Sequence, residues 1–391
     1  MGVHITGIGC ISAIGLNVAE NLASLKSSKH GIVQGGFSEF PEKKTAVVAL
    51  SNAELADKIG ADPSLPRTAL LGMIAAEEAF EGHSLNSEIR TGLISGTSVG
   101  GMDTSETHYR EFLETEKLVP ENYREHPSGS STISIANHLN IRGFNNTIST
   151  ACSSGANALM MGARMIELGL LDRVVAGGTD GLCAFTIKGF SSLMIFDEDF
   201  CKPFDNRRKG LNLGEGAGFV VLESEASMAK SGKRSLAKLS GWGCTSDAHH
   251  QTASSDEGFG AIAAMREALN VAKLDSSAIN YVNAHGTATP NNDQSESNAL
   301  IELFGNNVPP FSSTKAYTGH TLAASGSIEA VYAVLALKEG LLYPNLRFEE
   351  IIESTQLKPQ TSLETGVDVN HIMSNSFGFG GNSTSLVFSK S

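Results

Sequence analysis

An α/β fold built from two duplicated halves is what the chain predicts, and two observations carry the prediction. Short apolar strand-like segments alternate with helix-like runs along the whole length, and the same series of motifs occurs twice in the same order. With 391 residues the chain is long enough for two ordinary domains or one duplicated pair. The boundary predicted between the halves lies near residue 228, so that 1–228 form the first and 229–391 the second.

Taken in order, His4-Ile5-Thr6-Gly7-Ile8-Gly9-Cys10 opens the first half, and Lys238-Leu239-Ser240-Gly241-Trp242-Gly243-Cys244 answers it in the second. SLPRTALLGMIAAEEAF (64–80) reads as a scaffold helix with Ser64 as cap and Pro66 in the first turn. TGLISGTSVGG (91–101) and INYVNAHGTATP (279–290) are each a strand running into a Gly-Thr loop. ISTACSSGANAL and SSTKAYTGHTLAASG each lead from a strand into an apolar helix that ends in Gly-Leu-Leu. GLNLGEGAGFVVLESE (210–225) and NSFGFGGNSTSLVFSKS (375–391) each feed a last strand from a glycine-rich turn. The first half carries roughly 25 extra residues, placed in the polar stretch 102–141 and expected to form a lid, pocket wall or subunit contact. Alternation of strands and helices predicts a mostly parallel sheet in each half.

Composition excludes several classes. A net charge of −13 argues against general nucleic-acid binding. No apolar run reaches membrane-spanning length, and MGVHITGIGC reads as a buried first strand rather than a signal peptide. Five widely spaced cysteines without a CxxC pair argue against disulfides and zinc and for a reducing cytoplasm.

The candidate chemistry sits in four stretches. Cys152 stands between a strand and the helix beginning near Ser153, where free N–H groups and the helix dipole favour a thiolate and can hold an oxyanion. A lone cysteine is ordinarily structural, and three further stretches change that balance. VNAHGTATPNND places His285 in a Gly-Thr loop, with the hydroxyls of Thr287 and Thr289 beside it. SSTKAYTGHTLAASGSIEA supplies Lys315, His320 and Glu329, with an ion pair expected between Lys315 and Glu329. Because His320 occupies the repeat-equivalent of the helix that Cys152 opens, near two-fold symmetry predicts that the two helix starts meet. SNSFGFGGNSTSL sets Phe377 and Phe379 on a glycine-rich loop that leads into a strand, unlike a nucleotide-binding loop.

In this order, TACSSG, HGTATPNND, STKAYTGHTLAASGSIE and NSFGFGGN resemble the β-ketoacyl-acyl-carrier-protein synthases, in the elongating branch with two histidines. KPFDNRRKGLNLGEGAGFVVLE and the opening TGIG extend the resemblance over nearly the whole chain. It implies a thiolase-like fold, two α/β halves forming a layered αβαβα sandwich, usually as a dimer. It implies that Cys152 accepts the acyl chain as a thioester, and that His285 and His320 promote decarboxylation of malonyl carrier and stabilise the enolate. Lys315 would organise the histidines and Glu329 would hold Lys315. The amides of Cys152 and Phe379 would form an oxyanion hole, Phe379 would gate the site, and Thr287 and Thr289 would bind the phosphopantetheine arm. No metal or resident cofactor is implied, since the substrates ride on acyl carrier protein. Arg67, Lys202, Arg207, Arg208 and Lys209 are the candidates for carrier docking in an otherwise acidic chain.

The alternatives are an active ketosynthase paired with a chain-length-factor subunit and a non-decarboxylating thiolase-like acyltransferase. NSFGFGGN lacks the second cysteine a thiolase needs, and His320 stands where the initiating branch has Asn. Against the family pattern, Ala288 replaces a usual Gly or Ser, Lys209 an acidic residue, and Leu211 an aromatic one.

Overall fold

The computed structural model describes residues 2–391. Its first half contributes β1 (Val3–Ser12), β2 (Thr91–Gly96), β3 (Asn145–Ile148), β4 (Arg173–Asp180) and β5 (Gly216–Ser224). The second contributes β6 (Ala237–Ser246), β7 (Tyr281–Asn283), β8 (Phe311–Ser312), β9 (His371–Gly378) and β10 (Asn382–Ser389). Their spatial order, β8-β7-β9-β10-β6-β1-β5-β4-β2-β3, repeats itself about the join between β6 and β1. That join is brief: His4 pairs with Lys238 and Ile5 with Ala237.

The duplication read from the motifs is therefore a duplication of topology. The sheets are mixed rather than mostly parallel. In each half the pairs nearest the join (β1–β5 and β5–β4, β6–β10 and β10–β9) are antiparallel, and only the outer pairs are parallel. The final two strands show why: β9 returns directly as β10 through a three-residue turn at Phe379–Gly381, a connection available only to antiparallel neighbours.

Helices complete the layers. The first half supplies α1 (Arg67–Phe80), α2 (Met102–Thr115), α3 (Gly129–His138), α4 (Ser154–Glu167) and α5 (Ala184–Ser192). The second supplies α6 (Phe259–Ala272), α7 (Pro290–Phe304) and α8 (Ser325–Glu339). One outer layer is α1, packed on β1, β5 and β4, with α3 against it; the other is α6, packed on β6 and β10, with α7 against it. Between the half-sheets, α4 and α8 pack on each other and touch strands of both halves. A helix in that position has no solvent face, and α8 is buried without interruption from Ser325 to Leu337. Three separate apolar clusters follow from this αβαβα arrangement, one central and one under each outer helix layer.

The crossing of α4 and α8 requires small residues. A Cβ on Gly155 would stand 2.7 Å from the Ala323 carbonyl oxygen, and one on Gly326 would stand 2.9 Å from Cβ of Ala156. Glycine at both positions lets the two helix starts touch, which brings the Cys152 and His320 segments into one place.

Two local expectations change. Pro66, not Ser64, stands at the α1 N-cap, and the Arg67 N–H donates to Asp103 Oδ2 at 2.8 Å instead of to a serine. Within 102–141 only α2 and the 3-10 turn Pro120–Tyr123 are additional, because α3 occupies the place that α7 takes in the other half.

Candidate active site

Cys152 lies in a tight turn between β3 and α4. Ala151 before it adopts φ +52°, a left-handed conformation uncommon for a residue with a side chain. The Ser154 hydroxyl stabilises that turn, donating to Ala151 O at 2.6 Å and accepting the Thr150 N–H at 2.9 Å. The sulfur is buried, and the backbone N–H groups of Phe379 and of Cys152 itself face it. Sequence position predicts a lowered pKa, and the folded site does the opposite: burial pushes the Cys152 thiol up to about 12, beyond the counter-pull of Lys315. Local dipoles are outweighed because tertiary packing removes water from the sulfur.

His285 lies two residues past the end of β7, and His320 precedes α8. Their ring centroids are 5.5 Å apart at 86°. Burial, the Lys315 charge and, for His285, the neighbouring His320 hold both well below 6.5, so both rings are neutral near pH 7. Nδ1 of His320 accepts the Leu322 backbone N–H at 3.3 Å. Lys315 donates to Glu329 Oε1 at 2.6 Å, a contact with both side chains almost fully buried. Burial lifts the Glu329 carboxyl to about 7 against the pull of Lys315.

One cavity of about 370 Å³ is lined by Cys152, His285, His320, Thr287, Thr289 and Phe379 among others. The two threonine hydroxyls are 2.8 Å apart. Phe379 is half-buried and stacks on Phe190 of α5 with centroids 5.6 Å apart. Phe377, expected on the loop with Phe379, is instead the penultimate residue of β9 and packs against the His285 ring at 5.6 Å. Ala288 takes φ +67°, the region where glycine is unstrained, with its side chain in an apolar cluster beside Ile32, Ala46 and Cys201.

Three residues escaped the sequence reading. Asp180, at the end of β4, accepts Thr97 Oγ1 at 2.6 Å, Ser98 Oγ at 2.6 Å and the Ala323 N–H at 2.8 Å, tying the first Gly-Thr loop to the start of α8. Glu296 on α7 accepts the N–H groups of His285 at 2.9 Å and Gly286 at 2.8 Å. Its spacing from Asp293 puts both on one helix face, a signal present in the sequence. Phe190 carried no signal.

The docking candidates divide. Arg67 is not a surface contact: its guanidinium binds Glu215 through two nitrogens and the carbonyls of Val48 and Leu50. Arg208 is likewise committed, donating to Asp205 O at 3.0 Å and Pro290 O at 2.7 Å. Both side chains are committed within the chain, which a charge in a sequence does not show. Lys202 lies 3.7 Å from Glu349, and exposed Arg207 pairs with Glu349 and Glu350. Lys209 is exposed and lines the cavity.

The beta-ketoacyl synthase N-terminal domain model matches residues 2–227, and the C-terminal domain model matches 236–349. The chain belongs to the β-ketoacyl synthase family. Its relatives include the 3-oxoacyl-[acyl-carrier-protein] synthase 2 of Staphylococcus aureus, 31% identical over 99% of this chain and 98% of the relative. The enzyme of the same name from Vibrio harveyi is 30% identical over 99% of this chain and 98% of its own length. Among solved structures, the ishigamide ketosynthase/chain length factor aligns with a TM-score of 0.93 at 28% identity, covering 100% of this chain and 99% of that one. The ketosynthase ApeO with its chain length factor ApeC from Xenorhabdus doucetiae aligns at 0.86 and 32%, covering 100% and 98%. This β-ketoacyl synthase is thus a thiolase-like condensing enzyme, an acyltransferase that forms carbon–carbon bonds in the manner of fatty-acid and polyketide synthesis.

Proposed function

We propose that Cys152 carries the growing acyl chain and that His285 and His320 act on the malonyl unit. The observation that supports this most directly is the convergence of a buried sulfur, two facing N–H groups and two neutral imidazoles in one cavity. The sulfur attacks the carrier thioester carbonyl, its proton passes to the departing carrier thiol, and the N–H groups of Cys152 and Phe379 hold the transient oxyanion. Malonyl carrier then loses CO₂, and the electron pair of the broken bond becomes an enolate whose oxygen accepts hydrogen bonds from the histidines. The enolate carbon attacks the Cys152 thioester, a carbon–carbon bond forms, and the Cys152 sulfur leaves as a thiolate that takes up a proton from solvent to restore the thiol. Neutral rings suit this role, because they donate a hydrogen bond without presenting a fixed charge to the incoming carboxylate. Lys315, paired with Glu329, positions them, and Thr287 and Thr289 bind the arm of the carrier.

The test separates the half-reactions. His285→Ala and His320→Ala should each reduce condensation by about 10²–10⁴-fold, while intact-mass analysis still finds acyl on Cys152. The double variant should be little worse than the poorer single. Undiminished condensation in either single variant would remove the assignment.

A paired subunit is part of this reading. Tyr109 and Leu113 of α2 and Phe185 of α5 expose large apolar side chains around one surface cavity. Either a second copy or a chain-length-factor-like subunit covers them in a cytoplasmic dimer, and sedimentation of the protein alone and with such a subunit distinguishes the two. Staphylococcus-like fatty-acid elongation and an ApeO-like specialised pathway remain separable by the acyl mass found on Cys152.

A further inference from the structure

The wall of the site cavity carries a single permanent charge. Its lining runs from buried Cys152, His285 and His320 to the exposed Lys209 and Pro290, and it contains no other lysine or arginine and no aspartate or glutamate. The neighbouring cations are already used: Arg207 pairs with Glu349 and Glu350, and Arg208 lies 3.9 Å from Asp293 while donating to two carbonyls. Lys209 pairs with no carboxylate among the described residues, in a chain whose net charge is −13. Lys315 lies behind the inner end of the wall and is paired with Glu329, so Lys209 is the one unpaired cation at the outer end of a low-dielectric cavity and focuses its field on whatever enters. The rest of the wall is suited to a long, neutral, amide-bearing group, with the paired Thr287 and Thr289 hydroxyls and the side chain of Asn292 along it.

We propose that Lys209 binds the phosphodiester at the outer end of the substrate's phosphopantetheine arm. This rests on Cys152 as the acyl acceptor: a thioester with its carbonyl at the buried sulfur leaves its anionic end toward the exposed lysine. The phosphodiester is an obligatory negative charge on every carrier-linked substrate, so one lysine serves both the acyl donor and the malonyl donor.

The experiment compares three acyl donors bearing the same acyl group: an acyl-phosphopantetheine, the corresponding acyl-pantetheine without phosphate, and the carrier-linked form. Acylation of Cys152 is followed by intact mass in the full-length protein. In the unaltered protein, kcat/KM for the phosphorylated donor should exceed that for the dephosphorylated one by about tenfold, as a charge-assisted contact at a half-wet site allows. Added salt should shrink the ratio. Lys209→Gln should bring it close to one, Lys209→Glu should invert it, and Lys209→Arg should restore it. An unchanged ratio in Lys209→Gln overturns the phosphate site. So does a loss confined to the carrier-linked donor, which would assign Lys209 to carboxylates of the carrier itself. If none of the three donors acylates Cys152 in the unaltered protein, the underlying function fails with the proposal; acylation with an unaltered ratio defeats the phosphate site alone.

Discussion

Leu322 donates its backbone N–H to Nδ1 of His320 at 3.3 Å, which leaves the single proton of the neutral ring on Nε2. Leu322 holds φ +53° in doing so. Ser325 Oγ, at the start of α8, lies 3.0 Å from the same nitrogen, so the turn and the first residue of α8 together hold the His320 ring.

A pH profile follows. Because burial holds both histidines well below 6.5, their neutral forms persist as pH falls through that value. Condensation by pre-acylated enzyme should show no histidine titration from about pH 8 to below pH 6.5; within that window only Glu329 and Glu296 change charge, near pH 7, and histidine protonation limits the rate only under more acid conditions. Stability carries the matching sign: unfolded histidines take up protons near 6.5 and the folded ones do not, so both contributions weaken as pH drops below that point. A single-turnover decline centred at pH 6.5 would show that the rings are not held neutral.

Glu296 gives the opposite slope. Burial raises its folded pKa to about 7 from an ordinary 4.5, so the folded state retains a proton that the unfolded state has lost. Its contribution is complete below about pH 4.5 and is lost as pH rises through 7. Denaturation of the wild type and of Glu296→Gln should show the variant gaining about 2–3 kcal/mol on the wild type between about pH 5 and pH 8. Parallel stability curves would mean that the carboxylate is already ionised in the acid range.

Phe379 and Phe377 should part company. Removing the Phe379 ring opens the route to Cys152, relieves the desolvation that holds its thiol up, and frees Phe190 of its stacking partner. Phe379→Ala should therefore speed acylation of Cys152 and its alkylation by iodoacetamide near neutral pH, while weakening the ordered addition of malonyl carrier. Phe377→Ala leaves a cavity under the sheet and beside His285, at a cost of about 3–5 kcal/mol. Stopped-flow acylation together with chemical denaturation of both variants decides the matter; equal acylation rates in the wild type and Phe379→Ala would make the ring mere packing.

Arg67→Ala should act on stability rather than on carrier recognition. It strands Glu215, a fully buried carboxylate, and releases the carbonyls of Val48 and Leu50. Loss of one member of a buried pair costs about 3–5 kcal/mol. A normally stable variant with a raised KM only for carrier-linked substrate would return Arg67 to the docking surface.

The site residues named from sequence lie in short motifs whose geometry is local: Cys152 between strand and helix, His285 at a strand end, Lys315 and Glu329 held 2.6 Å apart by a turn and the start of α8. The repeat supplied the one non-local inference, that the starts of α4 and α8 meet, because symmetry relates distant segments without any knowledge of contacts. Asp180 and the role of Arg67 were not legible in this way. Each is defined by partners brought from another part of the chain, Ala323 for the one and Glu215 for the other.

The sequence by itself determined the duplication, the order of the strands and helices, and the identity of the reactive side chains, since periodicity and turn chemistry are written in neighbouring residues. Tertiary structure alone decided the protonation of those side chains and the fate of the surface charges. The Cys152 thiol is pushed up to about 12 where its helix position favours a lower value, and of the five candidate docking cations only Lys209 is left unpaired at the cavity mouth. The reason is the same in both cases. Desolvation and ion pairing depend on what the rest of the chain places around a group, and that is known only when the two halves have closed on α4 and α8.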